Sequence, residues 1–342
     1  MDFPERPDHQ EELLLPGWTP DFRSGFVSVV GRPNVGKSTL VNQALGTKVT
    51  IVSPRPNTTR RSVRGVLHRA GVQAVFVDTP GLHRPKTALG ERLNQQVAEA
   101  LDDVDAVVAV IDATMAIGPG DRLVLERAAT AARGPGGSLR RLLIAVNKVD
   151  KANRDQVMTQ LATAHRVVEG EQGAGPGAEA VLPPGTDPDE LLETPGPLGD
   201  RGVEYFPVSA LTGQGIEALL EAVIDRLPVG PPYFPADMVT DLPEAFWVAE
   251  LVREQLLERV RDELPHAIAC RVTEWDWPVI RVEILVERDS QKGIVIGKGG
   301  QILKAVGTAV REQLPPGAFV ELHVTVEKRW QMRPETIDRL GY

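Results

Sequence analysis

The sequence has almost no cysteine: Cys270 stands alone among 342 residues, so no disulfide can form within the chain. It sits in the apolar run "HAIACRV", which suits a buried small hydrophobe, with a reactive thiol as the alternative. Long hydrophobic runs are also missing. Stretches such as Ala106–Ile111 and Leu142–Val146 fall far short of the roughly 20 apolar residues of a membrane-spanning helix. The opening "MDFPERPDHQEE" is acidic and lacks the apolar core of a signal peptide. Positive charge is scarce as well. The net charge of −9 disfavours indiscriminate nucleic-acid binding by the whole surface. The deficit is concentrated between Arg166 and Arg201, where acidic residues from Glu169 to Asp200 meet no Lys or Arg. These absences argue against a disulfide-stapled scaffold and an integral membrane protein, and lead us to expect a cytoplasmic location.

What is present is the composition of a soluble globular protein, 42% hydrophobic and 25% charged, long enough for two domains. Residues 1–22 read as a disordered tail. From 23 to 228 short apolar runs, rich in β-branched residues, alternate with helical stretches. The runs are Phe26–Val30, Gln73–Val77, Ala106–Ile111, Leu142–Val146 and Tyr205–Val208. That alternation implies an α/β domain whose mostly parallel sheet is buried on both faces. Residues 169–200, rich in Gly, Pro and acid, interrupt it as a flexible acidic insertion, either a solvated loop or a docking segment for a basic partner. Residues 229–243 form a proline-rich linker that packs on something. A smaller α+β domain is expected over 244–333. Its first helix presents Phe246, Val248, Leu251, Val252, Leu256, Leu257 and Val260 on one face; two strands, a helix over Ile302–Leu314 and a strand over Phe319–Val326 follow. Residues 334–342 are left as a C-terminal tail.

The segment "GRPNVGKST" (Gly31, Arg32, Pro33, Asn34, Val35, Gly36, Lys37, Ser38, Thr39) lies between a strand and a helix and matches the phosphate-cradling P-loop. Its glycines let backbone N–H groups face phosphates, Lys37 neutralises the β- and γ-phosphates, and the Ser38 hydroxyl suits Mg²⁺. "DTPG" (Asp78, Thr79, Pro80, Gly81) ends the second strand, where Asp78 can reach Mg²⁺ through water and Gly81 can offer its N–H to a γ-phosphate. "NKVD" (Asn147, Lys148, Val149, Asp150) ends the fourth. Asp150 can accept hydrogen bonds from the N1–H and amine of guanine; adenine would leave that carboxylate unpaired, so GTP is selected over ATP. "SAL" (Ser209, Ala210, Leu211) follows the last strand, where a backbone N–H near Ala210 would meet the guanine carbonyl.

In this order the four segments resemble the translation-factor-like P-loop GTPases. The resemblance places Asn57, Thr58, Thr59, Arg60 and Arg61 at switch I, with Thr59 favoured as the residue that completes the Mg²⁺ shell. Arg60 and Arg61 could stabilise charge or be plain solvated residues. Leu82 stands where Ras-like proteins carry the glutamine that orients water, and leucine cannot do that. Slow intrinsic hydrolysis follows. In the similar branch with a hydrophobic residue here, a P-loop asparagine can hold K⁺, which implies Asn34 as its ligand under a Ser53–Thr58 cover.

Near the other end, "GIVIGKGG" precedes an amphipathic helix. Gly297, Lys298, Gly299 and Gly300 form a GxxG loop of the kind with which KH domains clamp about four nucleotides. Lys292, Lys298 and Lys304 would supply charge, and "EKRWQMR" adds Lys328, Arg329 and Trp330, the tryptophan either stacking on a base or packing. A GTPase domain joined to this KH domain, with "RPNVGKSTLVN", "DTPGLH", "PPYFP", "ELPH", "ERDSQKGIVIGKGG" and "VEKRWQ", resembles the Era family of ribosome-assembly GTPases over residues 25–333. The resemblance implies a type II KH domain, GTP and GDP as substrate and product, and Mg²⁺ with K⁺ as a possible second cation. It further implies binding near the 3′ end of small-subunit ribosomal RNA, maturation of the small subunit, a monomer, and peripheral association with the inner face of the cell membrane. Tandem-domain assembly GTPases fit less well, since the chain has one P-loop; so do tRNA-modification GTPases, which need a long helical domain. An RNA-binding protein with a merely structural GTPase domain is the remaining alternative.

Overall fold

The structure, a computed structural model, describes residues 19–82, 85–170, 196–197, 202–260 and 264–342. The first domain comprises β1 (Arg23–Gly31), α1 (Lys37–Leu45), β2 (Val63–Arg69), β3 (Val72–Asp78), α2 (Ala88–Glu99), β4 (Ala106–Asp112), α3 (Pro119–Ala131), β5 (Leu142–Asn147), α4 (Arg154–Glu169), β6 (Gly196–Pro197), β7 (Glu204–Val208) and α5 (Ile216–Ile224). The sheet order is β2-β3-β1-β4-β5-β7-β6, parallel from β3 to β7, with antiparallel strands at both edges. Every residue of β4 and β5 is buried, as their unbroken apolar sequences require of strands covered on both faces. Helices α1 and α5 close one half-core, and α2, α3 and α4 close the other. Strand β2, "VRGVLHR", had not stood out because polar Arg64, His68 and Arg69 break its apolar run. As an antiparallel edge strand it tolerates them.

The expected 1–22 tail lies outside the described residues up to residue 18; Phe22 is already buried. The 169–200 insertion is also outside them, apart from the end of α4 and Gly196–Pro197, which pairs antiparallel with β7. The linker runs back along the edge of the first domain. Val229 bridges to Arg23 and Thr240 to Gly65. The Gln73 side chain accepts the N–H groups of Tyr233 and Phe234 at 2.6 and 3.0 Å, and donates to the Phe234 carbonyl at 2.8 Å.

The second domain begins with α6 (Glu244–Arg259) and a one-turn α7 (Leu264–Ala267), then β8 (Ala269–Asp276), β9 (Val279–Val286), α8 (Asp289–Ile296), α9 (Gln301–Arg311) and β10 (Phe319–Val326). In its sheet, β9 pairs parallel with β10 and antiparallel with β8, the type II KH arrangement. Helices α6, α8 and α9 share one core with this sheet. Cys270 belongs to that core, and burial pushes its thiol pKa up, so it is the small hydrophobe rather than the reactive thiol. Helix α8 was not expected from "DSQKGIVI", whose β-branched end reads as extended. Gln291 turns it helical by accepting the backbone N–H groups of Glu287 and Arg288 at 2.9 and 3.0 Å.

Residues 334–342 are not a tail. They form α10 (Pro334–Arg339) and a following turn; Ile337 of the helix and Leu340 and Tyr342 after it pack against Leu89 and Leu93 of α2. The sequence is too short to show a helical period, and its partners come from the other domain.

Candidate functional site

The carboxyl ends of β1, β3, β4, β5 and β7 lie side by side and deliver Gly31, Asp78, Asp112, Asn147 and Ser209 to one edge of the sheet, where open α/β sheets bind ligands. The P-loop joins this edge to α1. Gly36 has φ +102°, and a Cβ there would collide with the Asn147 side chain. A Cβ on Gly31 would lie 2.7 Å from the Val110 carbonyl, and one on Gly81 2.6 Å from Pro33. Arg32 fixes the outside of the loop through Asp121 of α3 at 2.6 Å. Lys37 is buried, and its Nζ donates to the Arg32 carbonyl at 3.1 Å. Burial lowers its pKa to about 8 against the opposing pull of Asp78. A polyanionic ligand would raise it again. Lys37, Ser38 and Thr39 line a cavity of about 310 Å³ with Asn34, Gly81 and the Ile51–Pro54 and Asn57–Thr59 segments.

Asp78 is fully buried behind Thr59, one of the residues lining that cavity. Its Oδ2 accepts from Thr50 Oγ1 at 2.9 Å and Thr59 Oγ1 at 3.3 Å, and Thr59 Oγ1 lies 2.9 Å from Ser38 Oγ. Its Oδ1 is buried without a hydrogen-bond partner. Burial raises the Asp78 pKa, with Lys37 and the three hydroxyls opposing. An orphaned carboxylate oxygen beside two converging hydroxyls fits a hard divalent cation such as Mg²⁺. Among the described residues no three His, Cys, Asp or Glu side chains gather around a metal position, so nucleotide and water must complete the shell. Thr79 and Pro80 continue the strand end, with Thr79 Oγ1 donating to the Val29 carbonyl at 2.7 Å. Leu82 is packed in the core and its N–H donates to Gly31, so it faces no water.

Thr58 and Thr59 separate cleanly. Thr58 Oγ1 is occupied by the Arg55 carbonyl at 2.6 Å, whereas Thr59 points at Ser38 and Asp78. Asn57, at φ +59°, turns the loop. The two arginines correct the sequence reading, being neither solvated nor aimed at phosphate. Arg60 is buried between Trp330 and Tyr342 of the second domain, and Arg61 lies 4.2 Å over the Phe246 ring. The loop before them is tied down as well. Lys48 pairs with Glu254 at 2.5 Å, Val52 N–H donates to Glu254 at 2.9 Å, Arg55 reaches the Val260 carbonyl at 3.2 Å, and Arg253 donates to the Thr58 carbonyl.

On the base side, Asn147 braces the P-loop, its Nδ2 donating to the Val35 carbonyl at 2.8 Å. Asp150 is exposed and accepts from Ser209 Oγ at 2.6 Å, which orients its carboxylate. The Ala210 N–H, expected to face a guanine carbonyl, donates instead to Asn147 Oδ1 at 2.9 Å; Leu211 beside it is exposed. Lys148 spans the site, donating to the Asn34 carbonyl at 2.7 Å and to Asp112 at 2.5 Å. Burial works against the Asp112 charge, but the bonds from Lys148 and Thr114 outweigh it and lower its pKa. Sequence reading missed Asp112, Thr50 and Asn42, which holds Val49 and Thr50 N–H at 3.0 and 3.1 Å. Asp112 carried a usable signal, an acid at a strand end like Asp78; Thr50 and Asn42 carried none.

In the second domain Gly297, Gly299 and Gly300 all have φ between +61° and +77°. Nothing lies within 4 Å of a Cβ built on Gly299 or Gly300, so the loop is open, with the N-terminus of α9 behind it. Lys298, Lys304, Lys328 and Arg329 are exposed and Lys292 half-buried. Exposed Ile294 on α8 joins them, a residue hidden from sequence reading with α8 itself. Trp330 settles on packing: it is fully buried, and its Nε1 donates to the Ala267 carbonyl at 2.8 Å, so no base can stack on it.

Two family models match the chain: a 50S ribosome-binding GTPase over residues 26–148 and a KH domain over 263–331. The GTPase Era of Mycolicibacterium paratuberculosis is 43% identical over 334 residues, covering 94% of this chain and 99% of the relative. That of Mycobacterium tuberculosis is 41% identical over 333 residues, with the same coverage. Among solved structures, Era in complex with MgGDPNP and nucleotides 1506–1542 of 16S ribosomal RNA superposes with TM-score 0.78 at 33% identity, covering 94% of this chain and 99% of that one. An Aquifex aeolicus Era variant bound to GDP and AlF4⁻ gives TM-score 0.77 at 33% identity and the same coverage.

Proposed function

The chain belongs to the Era family of GTPases, and from that premise we propose that it is a GTP-controlled clamp on small-subunit ribosomal RNA. It hydrolyses GTP to GDP and phosphate and assists assembly of the small ribosomal subunit. The observation that carries the clamp reading is the double anchoring of switch I. Thr59 holds one side of it to Ser38 and Asp78, while Arg253 and Glu254 of α6 hold the other side to the KH domain. Loss of the γ-phosphate therefore acts on a segment that the RNA-binding domain already grips.

At the nucleotide, backbone N–H groups of the P-loop and Lys37 bind the phosphates, and Asp150 reads the guanine edge. Ser38, Thr59 and, through water, Asp78 are the residues that would hold Mg²⁺, which supplies charge neutralisation between the β- and γ-phosphates. Leu82 supplies no water-orienting group, so intrinsic hydrolysis is slow. Asn34 is the proposed K⁺ ligand. Its Nδ2 donates to the Pro54 carbonyl at 2.9 Å, which brings the 53–58 loop over the P-loop and leaves its amide oxygen for a cation. GTPase rates in K⁺ and Na⁺ buffers test this; equal rates reject it.

On the RNA side, the open Gly297–Gly300 loop and its lysines would take the single-stranded 3′ end of 16S ribosomal RNA, the RNA present in the related complex. No helix among the described residues is long and apolar enough to cross a membrane, so any membrane contact is proposed as peripheral. Crosslinking followed by sequencing of bound RNA tests the function. Enrichment of the small-subunit 3′ end with a GTP analogue over GDP is expected; equal recovery of unrelated RNAs would refute it.

A further inference from the structure

Helix α2, the KH sheet and the C-terminal helix meet at one buried junction, which Arg60 of switch I enters. Ile337, Leu340 and Tyr342 pack there with Trp330, with Ala269 and Leu285 of the KH sheet, and with Leu89 and Leu93 of α2, the helix that follows switch II. Switch I sends Arg60 into this junction, with Arg61 beside it against Gly341. Arg60 is 3% exposed, and its Nη1 donates to the Ile268 carbonyl at 2.5 Å. Its guanidinium carbon lies 5.6 Å from the Trp330 ring centre and 5.9 Å from that of Tyr342. The rings are themselves fixed. Trp330 Nε1 donates to Ala267, and Arg92 of α2 donates to the Tyr342 carbonyl at 3.3 Å.

Burying a guanidinium is costly, and the two aromatic faces, the Ile268 carbonyl and the nearby Glu250 charge help to offset that cost where Arg60 stands. Arg60 is therefore held in place, not merely covered. Thr59 is its neighbour, about 3.8 Å away along the backbone, and it carries the hydroxyl that meets Ser38 and Asp78. On the other side, exposed Lys328 and Arg329 directly precede Trp330. The path from the RNA-facing surface to the phosphate site is thus a short series of packed residues.

We propose that Arg60 is a positioning residue of the GTP state: by gripping it, Trp330 and Tyr342 hold Thr59 where it completes the magnesium shell, so the C-terminal segment sets how firmly the triphosphate is retained. This rests on the reading of Thr59 as a magnesium ligand. GDP retention, in which no γ-phosphate engages switch I, should be indifferent to the grip.

The test uses the full chain and the variants Tyr342→Ala, Tyr342→Phe and Thr59→Ala. Release of a fluorescent non-hydrolysable GTP analogue and of fluorescent GDP is followed while Mg²⁺ is titrated, and hydrogen exchange is measured over residues 57–62. In Tyr342→Ala the Mg²⁺ concentration that half-protects the GTP analogue should rise about tenfold, the equivalent of about 1.4 kcal/mol. Exchange over 57–62 should quicken and GDP release stay within about twofold. Tyr342→Phe, which keeps the ring face, should restore all three. If Tyr342→Ala does not fold, Arg60→Leu, which fills the slot without charge, should give the same pattern. Equal acceleration of both nucleotides, or unchanged exchange at 57–62, overturns the proposal. If Thr59→Ala leaves the Mg²⁺ dependence unchanged, the magnesium reading of Thr59 falls, and the grip is then decided by the exchange result.

Discussion

The chain has two glycine-rich loops, each proposed to face phosphates, and most of their glycines stand there for different reasons. In the P-loop the glycines answer to the protein: a Cβ on Gly31 or Gly36 would meet Val110 or Asn147, residues brought in by neighbouring strands. In the GxxG loop a Cβ on Gly297 would meet Ile302 at 2.7 Å, but one on Gly299 or Gly300 would meet nothing. There glycine serves a left-handed backbone and the approach of a ligand. A loop shaped by its own packing is preorganised before the ligand arrives; an open loop gains its shape and its constraint from the ligand. The difference suits a site that holds one nucleotide tightly and a surface that takes and releases a long RNA.

The largest effect that could break this comparison is expected in the packed loop. Gly36→Ala should lower GTP affinity at least about a hundredfold, measured by fluorescent-nucleotide titration, because the methyl group displaces Asn147 and the bonds it makes. A loss under about threefold would mean that the loop relaxes and packing does not dictate its glycines. Somewhat smaller is the base-reading change. Asp150→Asn should reduce preference for GTP over ITP, which lacks the 2-amine, by about tenfold or more; an unchanged ratio would show that the base is read elsewhere. In the open loop, Gly299→Asp sets a negative charge against the RNA backbone. We expect about a tenfold loss of RNA affinity in filter binding, with nucleotide affinity in the absence of RNA unchanged. Gly299→Ala beside it separates charge from backbone conformation, since there is room for the methyl and only φ +61° opposes it. The smallest effect belongs to a single charge. Lys298→Ala should weaken RNA binding a few-fold and make the logarithmic salt dependence shallower by about 0.7; an unaltered slope would remove Lys298 from the phosphate contacts.

Much of this molecule was legible before its fold. The five parallel strands were visible because strands buried on both faces are near-continuous apolar runs, and β4 and β5 are buried at every residue. Strand β2 and helix α8 were not, since an edge strand carries polar residues and Gln291 makes a helix of a β-branched stretch. The choice of Thr59 over Thr58 rested on resemblance, and the hydroxyl geometry favours the same residue.

The sequence by itself determined the P-loop, the carboxylate proposed to read guanine and the GxxG loop proposed to face RNA. Each is a short contiguous segment whose stereochemistry limits which residues can stand there. Only the tertiary structure decided the fate of Arg60, Trp330 and residues 334–342, expected as a charge-stabilising or solvated switch residue, an undecided stacking or packing residue and a tail, and found together in one interdomain junction. The reason is separation along the chain. Arg60 and Tyr342 meet across the whole length of the two domains, and a contact of that kind leaves no period, spacing or local composition in either segment from which it could be read.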